Sequence, residues 1–142
     1  MTKSAQAESY FAAGYNCAQA VFTPFGIEMG FTEDHCIKIA GTFGGGMARQ
    51  QLTCGAVAGA LMAIGLCFGG GIDGYLSKKD ETYATANKFF DEFRKRNNTL
   101  NCRELLQGLD MNNPEDQFIR QVHGHATVLH LILLYANKKP LT

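Results

Sequence analysis

The chain has 142 residues, with 13 Lys and Arg balanced by 13 Asp and Glu, so its formal net charge is zero. No cationic excess is available to neutralise a phosphate backbone, which argues against nucleic-acid binding. Hydrophobic residues make up 46% and charged ones 18%, enough in this length for one core and a single domain, 1–142. The opening MTKSAQAESYF has no basic stretch followed by an apolar run, so no secretory signal is read there and a cytoplasmic protein is expected. In that reducing compartment five cysteines point to thiols that are buried, catalytic or metal-bound rather than to a disulfide scaffold.

Ser4 to Ala13 is rich in helix formers and is followed by Gly14, a common helix terminator. Asn16 is placed to cap a second helix from Cys17, in which Pro24 removes the bond to the Ala20 carbonyl and predicts a kink or a stop. Thr32, with Glu33 and Asp34 behind it, opens a short helix to about Ala40. From about Thr53 to Phe68 the chain is apolar on every side, the mark of a buried central helix. Ser77-Lys78-Lys79-Asp80 resembles a capping box at the head of an amphipathic helix whose stripe, Tyr83, Ala86, Phe89, Phe90 and Phe93, is expected to face the core. Asn101 opens a short helix to about Gln107, and Asn113-Pro114 a last long one ending near Asn137. No strand pattern, repeat or low-complexity tract interrupts the series. The fold class expected is all-α: a helical bundle of about six or seven helices around a Gly/Ala-rich central helix.

Eleven of the 16 glycines lie between Gly41 and Gly74, a stretch whose only charged residues are Arg49 and Asp73. Such a run calls for close backbone approach, and Gly55 and Gly59, four apart, predict a tight helix crossing. The uncharged segment from Gln50 to Ile72 is long enough to raise a membrane span, but glycines break both its ends and no second span accompanies it, so no membrane association is expected. The glycines of GTFGGGMA could form an anion-binding nest, yet neither nucleotide-binding glycine pattern is present.

Cys17, Cys54 and Cys102 each fall at or beside an expected helix N-terminus, where bare amides and the helix dipole favour a thiolate. The competing reading is that cysteine is a small hydrophobe filling gaps between helices. There is no C-x-x-C, which removes thioredoxin-like loops and covalent haem attachment. Cys67 lies in the same helix as Cys54, roughly 20 Å away at 1.5 Å per residue, too far to share its site. Cys36, one turn inside its helix, reads as packing. His123 and His130 share a helix face that His125 does not, and no H-E-x-x-H motif is present.

Taken together, YNCAQAV from Tyr15, GGGM from Gly44, CGAVAGALM from Cys54 and CRELL from Cys102 resemble the C_GCAxxG_C_C family, whose members are described as redox-active. The likeness runs over most of the chain and extends to the N-terminal part of split-Soret cytochromes, without their haem-attachment segment. It implies an all-helical domain in which Cys17 corresponds to the first family cysteine, Cys54 to that of CGAxxG and Cys102 to the one before RELL. The family's final cysteine falls around Gln117 to His123, where this chain has none. His123 is the substitute to test, since imidazole replaces thiolate in some iron-sulfur centres.

These readings converge on a small redox protein in which Cys17, Cys54 and Cys102 meet, as metal ligands with His123 around an iron-sulfur cluster or as catalytic thiols cycling with a disulfide. Gly55 and Gly59 line the cofactor side of that site. A homodimer is expected, as is a redox partner protein. The rival is a non-enzymatic interaction domain with merely buried cysteines, whose apolar VLHLILLY near the end would need covering. A zinc centre lacks paired ligand spacing and a metal-dependent hydrolase lacks a close His and carboxylate set.

Overall fold

Thr2, Asn16, Thr32 and Asn101 each accept a hydrogen bond from the amide three residues on, and each opens a helix. The side-chain oxygen satisfies one of the amides that a first turn leaves bare. The computed structural model describes residues 2–114. Among them are six helices: α1 (Lys3–Ala12), α2 (Cys17–Glu28), α3 (Glu33–Ile39), α4 (Gly55–Phe68), α5 (Tyr75–Asn97) and α6 (Cys102–Leu105). The β pairing described is one isolated antiparallel bridge between Thr53 and Asn101. The fold is helical, as the sequence predicts. The last helix expected from Asn113-Pro114 to Asn137, with its histidines and VLHLILLY, lies outside the described residues.

Pro24 does not stop α2, which runs through it to Glu28. One backbone bond is lost, but Ala20, Val21, Phe22, Thr23 and Pro24 are all buried, and tertiary burial on this scale outweighs a local penalty. α5 begins two residues before Ser77; its cap position is Gly74, and the Ser77 hydroxyl donates back to the Gly74 carbonyl at 3.0 Å instead of capping an amide. The expected stripe on α5 is also shorter. Phe89 and Phe93 are buried with ring centroids 6.0 Å apart, whereas Tyr83 is 54% exposed. At 1.5 Å per residue α5 is about 35 Å long and α4 about 21 Å, so the first turns of α5 extend past the helix they pack on.

One cluster of buried side chains joins Ala7 of α1, Val21 of α2, Ala56, Val57 and Ile64 of α4, and Phe89 and Phe93 of α5. A second lies on the other flank of α2, where Ala18 and Phe22 meet Cys36 and Ala40. α4 is the central helix over Gly55 to Gly59, all buried, while Leu61, Met62, Leu66 and Phe68 farther along are only partly so. The uncharged run found in the sequence is thus divided between loop and a 14-residue helix, and no described helix is long and apolar enough to cross a membrane.

α2 and α4 touch most closely at Gly59, where a Cβ would lie 2.8 Å from the Ala18 carbonyl oxygen and 3.2 Å from Val21 Cβ. Neither backbone oxygen nor branched side chain can retreat, so Gly59→Ala is expected to lower unfolding free energy by about 1–3 kcal/mol through overpacking. Gly65, in the same helix with nothing within 4 Å of its Cβ position, is the control: Gly65→Ala should raise stability by roughly 0.5–1 kcal/mol. Urea denaturation of the two variants checks the pair.

Candidate functional site

Cys17 is the first residue of α2, and its placement is fixed by a reciprocal cap. The Gln19 amide donates to Asn16 Oδ1 and the Asn16 amide to Gln19 Oε1, both at 2.9 Å. The spare ends of these side chains reach neighbouring backbone: Gln19 Nε2 donates to the Ile37 carbonyl at 2.9 Å and Asn16 Nδ2 to that of Gly41 at 3.1 Å. The N-terminus of α2 is therefore tied to the end of α3 and to the start of the glycine-rich loop.

Cys54 and Cys102 are brought together by the Thr53–Asn101 bridge. The Cys54 amide donates to the Leu100 carbonyl at 2.8 Å, and the Cys102 amide to that of Leu52 at 2.6 Å. In this antiparallel register Cys54 stands opposite Leu100, so Cys102 is its diagonal neighbour on the same face; diagonal neighbours in a regular ladder stand about 7–8 Å apart. Cys54 then serves as the cap residue of α4 and Cys102 as the first residue of α6. The Cys17 thiol lies within electrostatic reach of both, since Cys54 and Cys102 each act on its ionisation. The three residues singled out in the sequence thus share one neighbourhood.

The loop before Cys54 forms one wall. Gly45, Gly46, Met47, Ala48 and Arg49 all have φ between 49° and 70°, and Gln51 has φ 55°. Left-handed conformations cost L-residues of the order of 1–2 kcal/mol each, so a succession of them persists only where the surroundings impose it. At Gly46 no side chain is tolerated: its Cβ would lie 2.6 Å from Cys102 Cβ and 2.8 Å from Gln51 Cα. Gly55, likewise, faces the Phe43 carbonyl oxygen, which a Cβ would approach to 2.6 Å. The space beside Gly55 and Gly59 is filled by the chain itself.

Helix termini are expected to favour thiolates, but burial dominates here. Burial first, and then the neighbouring Cys54 and Cys102, push the Cys17 thiol from its ordinary 9.0 up to about 12. Part of the residue is exposed at the helix start, while the sulfur is enclosed. Burial also raises Cys54; the amides of Val57 and Ala56 pull the other way without closing a capping bond. A dipole at one helix end is worth roughly 0.3–1 kcal/mol, less than the penalty for burying an unpaired charge.

Cys36 and Cys67 stand apart from this group. Cys36 is fully buried, its sulfur packed against Gly26, the packing role that its position suggests. Cys67, half-buried near the far end of α4, senses Glu28 and Lys3 instead.

Among the described residues no group of three or more His, Cys, Asp or Glu side chains converges to hold a metal ion. Electrostatic influence reaches farther than a metal–sulfur bond of about 2.3 Å, so thiols can sense one another without forming a ligand set. His123 lies outside the described residues. The described residues alone therefore show no ligand set for a metal ion.

A family model described as "Putative redox-active protein (C_GCAxxG_C_C)" matches residues 15–127. The chain belongs to the C_GCAxxG_C_C family. The match includes all three clustered cysteines and the left-handed loop. Comparison with curated proteins and with solved structures gave no match.

Gln51 went unnoticed in the sequence. It is 1% exposed; its Nε2 donates to the Leu109 carbonyl at 2.7 Å, and its Oε1 accepts from the Met111 amide at 3.0 Å. An uncharged amide in a glycine-rich run gives no local signal when its partners lie 58 and 60 residues away.

The raised Cys17 value has two measurable consequences. At neutral pH its thiolate population is roughly a thousandfold below that of an ordinary thiol, so alkylating reagents should modify Cys67 first and Cys17 only slowly until denaturant is added. The unfolded chain loses this proton near 9.0 and the folded chain near 12, so the folded state binds more protons between those values and its stability falls as pH rises through them. Denaturation midpoints from pH 8 to pH 11 should decline, and less steeply in Cys17→Ser.

Proposed function

We propose that Cys17, Cys54 and Cys102 form a reversible thiol/disulfide centre of a small electron-transfer or oxidant-defence protein. The observation that carries this reading is that the Thr53–Asn101 bridge sets Cys102 beside Cys54 while Cys17 packs against the same core cluster as Cys54, within a family described as redox-active. The co-reactant is a disulfide of a partner protein. One pocket thiol, deprotonated on opening of the site, attacks a partner sulfur; a mixed disulfide forms and one partner thiolate leaves. A second pocket thiolate attacks the pocket sulfur of that mixed disulfide and releases the other partner thiolate. The pocket loses two electrons, held at the end by the partner's two sulfurs, and its two protons are available to complete the partner's thiols.

The same burial favours a second reading, a helical interaction domain in which the thiols only pack. Ile72, in the loop before α5, is fully exposed and Leu76, in its first turn, nearly so, apolar surface of the kind an interaction domain carries. A cytoplasmic location and a redox partner belong to the first reading; a homodimer fits either, and sedimentation tests it.

Oxidation with a small disulfide reagent followed by peptide mapping separates the two. The redox centre yields one intramolecular disulfide within the set Cys17, Cys54 and Cys102, leaves Cys36 and Cys67 reduced, and loses that product on Cys-to-Ser change at either bonded position. Unreacted pocket cysteines, or bonds scattered over all five, sink it. Iron and acid-labile sulfide assays after anaerobic purification form the second arm: matching iron and sulfide would replace thiol chemistry with a cluster, and His123→Ala would then test the remaining ligand.

A further inference from the structure

We infer that Gln51 is a positioning residue for the cysteine pocket, holding Cys102 in the spacing of the reduced state and so setting how readily the pocket is oxidised. The inference rests on the thiol/disulfide reading above.

Gln51 joins three segments. Its main chain lies in the left-handed loop, where its amide donates to the Gly45 carbonyl at 3.1 Å and its carbonyl accepts from the Arg103 amide at 3.3 Å. Its side chain spans Leu109 and Met111, donating to one backbone and accepting from the other. Asn112 adds a contact of the same kind, its Nδ2 donating to the Arg49 carbonyl at 3.4 Å. Cys102 is gripped between these points: Leu52 holds its amide, Gly46 lies against its Cβ position, and Gln51 bonds the residue after it. Arg49, Arg103, Glu104 and Asp110, the charged side chains on these segments, are all exposed.

Geometry connects this clasp to the chemistry. Diagonal neighbours about 7–8 Å apart exceed the usual 4.4–6.8 Å Cα separation of a disulfide. Joining Cys54 to Cys102 therefore needs backbone movement, and joining Cys17 to either draws on the same loop. The clasp resists that movement. Once it is broken, the strained left-handed loop is free to relax and the cost of reaching the disulfide falls.

The experiment is redox titration of the full chain against glutathione, with wild type, Gln51→Leu and Gln51→Glu compared at each pH and with denaturation curves taken on the same samples. Gln51→Leu removes both clasp bonds. It should shift the dithiol–disulfide equilibrium toward the disulfide by roughly tenfold, about 30 mV for a two-electron couple, and raise the oxidation rate in step. Gln51→Glu retains donor and acceptor while its carboxyl is protonated and loses the donor once ionised. It should match wild type at low pH and move only part of the way to Gln51→Leu at high pH, where the ionised carboxylate still accepts from the Met111 amide. Should Gln51→Leu fail to fold, the pH series on Gln51→Glu carries the test. A purely structural Gln51 would lower the denaturation midpoint and leave the equilibrium within twofold of wild type at every pH, which overturns the inference alone. A wild-type chain that forms no pocket disulfide overturns the thiol reading and this inference together.

Discussion

The contact on which the arrangement depends is the one between α2 and α4 at Gly59. With no side chain there, the backbone of Ala18 settles directly onto α4, one residue beyond Cys17 and five beyond Cys54. A larger residue would push the helices apart near the ends that carry the two thiols. The Asn16–Gln19 cap then fixes the α2 terminus against the Ile37 and Gly41 carbonyls, and the Thr53–Asn101 bridge delivers the third cysteine. Each of these contacts ends on backbone, which leaves the site few ways to adapt to substitution.

Two effects compete over the thiols. Helix termini provide bare amides and a favourable dipole, a stabilisation confined to the first turn and modest in size. Exclusion of water acts on the whole charge and is stronger, so Cys17 and Cys54 rest as neutral thiols. A thiol held in this way is protected from stray oxidants. Under the proposed thiol/disulfide reading, access to the sulfur rather than its intrinsic acidity governs the chemistry.

Much of the fold was legible because its signals are local. Thr32 with two acidic residues after it, Asn16 before Cys17 and Asn101 before Cys102 announce their helices within four residues, and the glycine spacing of α4 announces a crossing. Pro24 and Ser77 misled for different reasons: α2 is buried on both sides of its proline, whereas α5 starts earlier than Ser77, where the preceding glycines turn the chain. Proximity of the three cysteines followed from family likeness rather than from spacing, since the bridge that brings Cys54 beside Cys102 joins residues with no pattern of their own. The left-handed path of Met47, Ala48 and Arg49 was hidden for a further reason, because nothing in those side chains favours it. Contacts distant in sequence impose it.

The reach of Gln51 to a residue 58 positions later also bears on how the protein is made. At about 5–20 residues per second, roughly three to twelve seconds separate synthesis of the loop from synthesis of the backbone that secures it. Cys17, Cys54 and Cys102 are all translated before that cover exists. Closing so long a loop also carries an entropic cost that grows with its length, which places the cysteine wall among the late events of folding. Until that segment is in place, the thiols of the wall are less enclosed than in the finished fold.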